Sequence, residues 1–412
     1  MSEARPDDPS RAGWVLPGPQ AADEGDREAD EFVDSMFASN QVDAVNAALK
    51  GWKRNDQELP GNAPKQLRNW VAQHKTIPDW IDLDAARRGF KFVTDNAVVM
   101  YSIVGFGELF ESLADPLLAR AVYQANFDLV NDPGMRLART LGATWTALDD
   151  GNLDPKGAFL PVTVKLRLVH AAARHSILAA GAWSNERDHW PISQRLELEE
   201  LLLLTSWTVD KMAKLGVKVT KAEADDVNEA GRLFGYMLGI KKEYLPTNAD
   251  QARQVIADVQ QHYQQPSPEG TYFSAMMTRE YGRKLLFPDA CNFAMGFSRI
   301  LLDPGEADML AIPKSPVWEW LLSTGAPLVF GPAQQALAAF EPLQVLHQQL
   351  FGFALNIFTE YANDWRSQEL QLPTGMHGPA TAPPPPPKAS FWCEIPTGSS
   401  DTGSSDPASA PN

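Results

Sequence analysis

Two short segments place side chains capable of chemistry on single helical faces. In Lys165-Leu166-Arg167-Leu168-Val169-His170-Ala171-Ala172-Ala173-Arg174-His175, the residues Arg167, His170 and Arg174 stand at i, i+3 and i+7. That spacing gathers them on one side of an α-helix. His175 follows His170 by five positions, roughly 140° around the helix at about 100° per residue, so a straight helix cannot aim both imidazoles at one ligand. In Met135-Arg136-Leu137-Ala138-Arg139-Thr140-Leu141, the side chains of Arg136, Arg139 and Thr140 share a face at i, i+3 and i+4. An imidazole beside the low relief of Ala171, Ala172 and Ala173 can present a nitrogen to the iron of a flat macrocycle such as haem. Arg167 and Arg174 bracket it by about one turn each, and guanidinium groups suit propionate carboxylates through bidentate hydrogen bonds. Arg136, Arg139 and Thr140 would then form the opposite wall. The same stripe also fits an ion-paired face that meets Asp or Glu from a neighbouring helix. Spacing alone leaves both readings open.

The elements that carry these faces are helical. Asp115-Pro116 and Asp132-Pro133 each place a proline behind an acidic cap, a start signal for a helix. A further helix begins at Leu160-Pro161 and runs to about Ala180, and Ser193 caps another through Leu196, Leu198 and Leu201. Lys221 to Ile240 reads as one more, followed by helices at roughly 248–264, 287–302 and 333–364. Period-2 strands with hairpin turns are scarce, and no internal repeat is evident. The sequence therefore predicts an all-α protein. Residues 1–27 are polar and acidic, and 373–412 carry Pro383 to Pro387 and a Ser/Gly/Asp run; both are expected to be disordered. Phe391, Trp392 and Cys393 form an apolar island in the second tail, expected to dock back on the domain. The stretch 28–372 contains no Pro/Gly/Ser linker and reads as one helical domain.

Composition excludes several classes. The chain of 412 residues carries 52 acidic against 36 basic side chains, a net charge of -16. A sequence-independent nucleic-acid binder needs a basic footprint, so no nucleic-acid partner is expected. The two cysteines, Cys291 and Cys393, form no CxxC pair and imply neither a zinc knuckle nor a disulfide framework; they read as a core filler and a tail thiol. The N-terminal residues lack a signal-peptide core, and no run of eighteen apolar residues is seen, which predicts a cytoplasmic chain without stable membrane insertion. There is no GxSxG elbow, phosphate-binding loop, HExxH or repeated Glu-x-x-His, and Gly105-Phe106-Gly107 lacks the third glycine of a dinucleotide fingerprint.

The stretches Arg136-Leu137-Ala138-Arg139-Thr140-Leu141-Gly142-Ala143-Thr144-Trp145 and Arg167-Leu168-Val169-His170-Ala171-Ala172-Ala173-Arg174-His175 resemble the latex clearing protein family, which includes mycophenolate-pathway oxygenases. Gly231 to Ile240 looks like that family's Gly-rich helix, and Pro78-Asp79-Trp80 its entry motif. The likeness spans roughly 60–370. It implies a globin-like helical core with added helices, and a b-type haem with His170 as the proximal iron ligand. Arg167, Arg174 and His175 would be its supporting shell, and Arg136 and Thr140 would be distal residues. The implied activity is a haem-dependent oxygenase, a dioxygenase before a monooxygenase, that uses O2 on the C=C bond of a small lipophilic isoprenoid or aryl alkene. A haem peroxidase or peroxygenase, and a non-catalytic haem or gas-binding protein, are the alternatives.

Two positions depart from the family pattern. Arg139 replaces the distal lysine, and a guanidinium cannot easily donate a lone pair to iron. Arg120 stands where rubber-cleaving members carry an acid, with Glu111 and Asp115 near it in sequence but not aligned. With the expected lack of an export signal, these departures point to a non-secreted relative rather than a polymer-cleaving enzyme.

Overall fold

The structure, a computed structural model, describes residues 14–125, 142–143, 145–181, 183–184, 189–285, 287–340, 343–344, 372 and 392. The all-α architecture expected from the sequence is the one observed, and no strand occurs among the described residues. The helices begin where the capping chemistry places them. Asp115 accepts from the backbone N–H groups of Leu117 and Leu118 at 2.7 and 3.3 Å and starts the helix Pro116–Ala125. Ser193 Oγ accepts from Leu196 N and starts Gln194–Leu202. Thr220 and Glu223 form a reciprocal capping box at the head of Lys221–Leu238.

In chain order the helices used below are α1 (Arg27–Ala38), α2 (Val42–Gly51), α3 (Lys65–His74), α4 (Leu83–Asp95), α5 (Ala97–Ile103), α6 (Pro116–Ala125), α7 (Phe159–Ala179), α8 (Gln194–Leu202), α9 (Lys221–Leu238), α10 (Ala249–His262), α11 (Pro268–Lys284), α12 (Ala290–Leu301), α13 (Pro304–Met309) and α14 (Pro316–Ala339). The chain continues beyond α5 through a π-turn, Val104–Glu108, and beyond α8 through another, Leu203–Trp207. The two π-turns abut: a Cβ on Gly107 would stand 2.9 Å from the Trp207 ring. Such turns insert one extra residue per turn and recur at functional sites.

Three packed cores meet along α7, the smallest around Ala121, Ile177 and Trp183. Of the other two, the larger unites residues from α4 to α14, including Phe90, Phe110, Trp207, Leu233 and Leu301. The smaller joins α1, α2 and α3 to Val164, Leu168, Ala171 and Ala172 on α7. Helix α4 lies directly on α9, where a Cβ on Gly89 would come within 2.1 Å of the Asp226 carbonyl oxygen. Beside that contact, Arg88 grips the Asp226 carboxylate with two bonds of 2.8 and 2.9 Å.

Several expectations are corrected. Residues 14–26, assigned to a disordered tail, pack on the domain: Ala21 and Ala22 are buried in the 3₁₀ turn Pro19–Ala22, and Asp26 is buried as the cap of α1. Helix α14 starts at Pro316 rather than 333, with Pro327 and Pro332 inside it. Helix α11 was not singled out in the sequence, although Ser267-Pro268 supplies the same cap-and-proline signal. Ala97–Ala114 is by length and mean hydropathy apolar enough to span a membrane, although Glu108 and Glu111 interrupt it, and most of it is buried inside the fold, as a core helix would be. Cys291 is disulfide-bonded rather than a plain core filler; Cys393, the chain's other cysteine, lies outside the described residues. Trp392, from the apolar island, is buried in the larger core.

Candidate active site

Helix α7 carries the histidine stripe, and α1 runs alongside it. Arg167 makes a two-point contact with Asp26, from Nη2 to Oδ1 at 2.9 Å and from Nε to Oδ2. Arg174 Nε donates to Asp30 Oδ1 at 2.7 Å, and His175 Nδ1 meets Asp34 Oδ1 at 2.6 Å. Residue numbers rise together along these pairs, so α1 and α7 run parallel. Asp26, Asp30 and Asp34 stand at i, i+4 and i+8, a one-sided acidic stripe that matches the basic one. The ion-paired reading of the RxxHxxxR face is therefore present in the structure: both guanidinium groups are aimed at carboxylates of α1. Arg167 also lies 5.3 Å from the Trp70 ring centroid, and His175 stacks on Phe37 at 4.3 Å.

Burial makes these pairs strong. Arg174 is 1% exposed and Arg167 8%. Burial works against both cations, yet the surrounding carboxylates raise their pKa values above the ordinary arginine range: Asp26, Glu28 and Glu197 at Arg167, and Glu197, Asp30 and Asp26 at Arg174. Burial pushes the Asp30 carboxyl up to about 6, against the pull of Arg174 and with the help of Asp26 and Glu197.

His170 is placed differently from its neighbours. Its Nδ1 atom is buried and lies 3.2 Å from Glu197 Oε1, while a third of the side chain remains exposed. The exposed third of the side chain therefore excludes Nδ1. Glu197 comes from the first turn of α8 and its side chain is 2% exposed. The same Oε1 accepts from Arg174 Nη1 at 2.9 Å, and Arg174 Nη1 also donates to the Ile192 carbonyl at 3.0 Å. Ala171 and Ala172 are buried against the smaller core. Sequence reasoning missed Glu197 and the α1 acids. The i, i+4, i+8 acid spacing was an available signal, whereas Glu197 becomes visible only when α8 lies against α7.

The other family-like motifs meet away from His170. Trp80 stands edge-on to Tyr236 at 5.1 Å, with the Arg232 guanidinium 5.1 Å from its ring. Arg232 pairs with Glu229 at 2.7 Å, and Glu229 accepts from Asp82 N at 2.9 Å. Gly239 ends α9 with φ +103°, and a Cβ there would press on Asp26 and Arg167. The Gly-rich helix thus makes room for the first charge pair of α1 and α7.

Around the position of the family acid, Arg120 lies 3.8 Å from Glu269 on α11. Asp115 caps α6 and lies 2.8 Å from Arg195, which also pairs with Glu199. Glu111 accepts from Gln260 and Gln264, both at 2.8 Å. Arg136, Arg139 and Thr140 lie outside the described residues.

Residues 90–331 match the family model described as ER-bound oxygenase mpaB/B'/Rubber oxygenase, catalytic domain, which sets the class of the fold as an oxygenase. The chain is 33% identical over 316 residues to the rubber oxygenase of Streptomyces sp. (strain K30), covering 74% of this chain and 74% of that protein. It superposes on latex clearing protein in the closed state with a TM-score of 0.73 at 28% identity, covering 86% of this chain and 95% of that one. The chain belongs to the mpaB/rubber oxygenase family.

Proposed function

We propose that this chain is a b-type haem-dependent oxygenase that uses O2 on a small lipophilic substrate, oxygenating or cleaving a C=C bond. The observation that carries the reading is His170, with one ring nitrogen buried against a carboxylate and a third of its side chain exposed. The residues fit the group. A neutral imidazole whose second nitrogen faces a carboxylate is a common metal-ligand arrangement. Ala171 and Ala172 are buried in the smaller core, so of the three alanines only the partly exposed Ala173 is open to a flat ring.

His170 would hold the iron through Nε2, and haem would supply the redox chemistry that activates dioxygen. Glu197 and Arg174 hold the histidine from behind. Arg167 and His175 lock α7 to α1, which makes them supporting residues rather than propionate clamps in this reading. Arg139 and Thr140 would donate hydrogen bonds on the opposite side, with Arg136 beside them. The lipophilic substrate follows from the family: the Streptomyces relative is named for oxygenation of rubber, a hydrocarbon.

The test is an absorption spectrum of the purified protein with and without dithionite and CO, alongside His170→Ala. The variant should purify without haem. Full haem occupancy with an unchanged Soret band in the variant would overturn the assignment.

A further inference from the structure

We infer that Glu197 is the positioning residue for His170, setting which ring nitrogen bears the proton and how strongly the other donates to a metal. The inference rests on His170 as the iron ligand.

Three separate elements fix the Glu197 carboxylate. Its helix is pinned at the start by the Ser193 cap and by Gln194, whose side-chain amide donates to the Gly239 carbonyl at 3.0 Å and whose side-chain oxygen accepts from Lys241 N at 2.8 Å. Its Oε1 is held by Arg174, which is held in turn by Asp30 on α1 and by the Ile192 carbonyl. The remaining neighbour of that oxygen is His170 Nδ1, 3.2 Å away. Both His170 Nδ1 and Glu197 Oε2 are buried without a hydrogen-bond partner. At 3.2 Å a small turn of the imidazole would bring its N–H into line with Oε1, and leaving a buried donor unmet is costly.

The consequence is chemical. A neutral imidazole carries one proton, and a carboxylate facing Nδ1 draws it there, which leaves the free lone pair on Nε2. A carboxylate acceptor also makes the imidazole a stronger donor, which favours ferric over ferrous iron. Arg174 shares the same oxygen and moderates that effect. A merely structural Glu197, present to neutralise Arg174, would leave the iron's preference unchanged when altered.

Glu197→Gln keeps the size and an acceptor oxygen but removes the carboxylate. With haem added, the variant should bind it about 10- to 100-fold more weakly, as loss of such partners does. A tenfold loss of ferric preference raises the midpoint potential by about 59 mV for a one-electron couple, and the ferrous iron–histidine stretch should fall. Glu199→Gln is the control. It is a buried acid on the same helix that pairs with Arg195, so it should lower stability without moving the potential.

A second measurement needs no variant: ¹⁵N shifts of the haem-free chain should show His170 protonated on Nδ1. Haem uptake with an unmoved potential in Glu197→Gln overturns the inference alone, as does an Nε2-protonated ring. A wild-type chain that takes up no haem overturns the ligand reading and this inference together.

Discussion

Replacing Arg174 with Met tests whether the buried charges behind His170 hold the fold together. The guanidinium is 1% exposed and bonds to Asp30 at 2.7 Å, Glu197 at 2.9 Å and the Ile192 carbonyl at 3.0 Å. Met preserves most of the aliphatic stem, so the packing change is small. The loss is electrostatic: Glu197 and Asp30 keep their burial and lose their cation. Removing one partner of a buried pair costs about 3–5 kcal/mol. Asp30 limits the damage, because its carboxyl already sits at about 6 through burial and will hold a proton more readily without Arg174. The expected cost at pH 8 is therefore near the lower end, about 3 kcal/mol. At about 1–2 °C per kcal/mol for a domain of this length, that lowers Tm by roughly 3–6 °C.

The sign with pH follows from the same carboxyl. Its folded pKa lies above the ordinary 3.8, so its contribution is fully present below that value and is lost as pH rises through about 6. In the variant the loss extends to higher pH. The gap between wild type and Arg174→Met should thus be largest at pH 8 and shrink toward pH 5. Urea unfolding followed by circular dichroism at both values measures it. A cost below about 1 kcal/mol at pH 8, or a gap that widens on acidification, refutes the reasoning. Asp30→Asn added to the variant should restore part of the loss.

A second pH effect belongs to Glu306. Burial, reinforced by Glu111, pushes its carboxyl up to about 9; Glu111 and Glu306 both accept from the Gln260 amide. Its contribution is full below about 4.5 and lost as pH rises through about 9, so wild-type Tm should fall between pH 7 and 10. Glu306→Gln should flatten that fall, and an unchanged slope in calorimetry would count against it. Gly89→Ala should destabilise by about 1–3 kcal/mol through overpacking, since its Cβ would meet the Asp226 carbonyl. A neutral effect in urea melts would show that α4 and α9 can separate freely.

Local chemistry made much of the fold readable in advance. Asp115-Pro116, Ser193 and Lys221 mark helix starts that the structure reproduces, because a cap satisfies N–H groups within its own turn. Long-range partnership was less readable. The segment before Arg27 looks like a polar tail until Arg167 is placed against Asp26. Helix α14 looks broken at Pro327 and Pro332, yet it continues, with Pro327 seated against the Gly216 backbone. Within the site, His170 stood out by its spacing and its arginines. Glu197 did not, since nothing in Gln194–Leu202 says which side of that helix will face α7.

The charge ladder between α1 and α7 has a consequence for how the chain matures. Its rungs join residues 141 and 144 positions apart. On a chain that emerges from its N-terminus, Asp26, Asp30 and Asp34 are exposed long before the partners that neutralise them exist. They remain hydrated through that interval, on a helix that also carries Arg27, Glu28 and Glu31. When α7 arrives, Arg174 meets Asp30 already made, and Glu197 follows with α8. The matched catalytic segment begins at residue 90, after all three acids. A chain trimmed to that segment would have to bury Arg174 without Asp30.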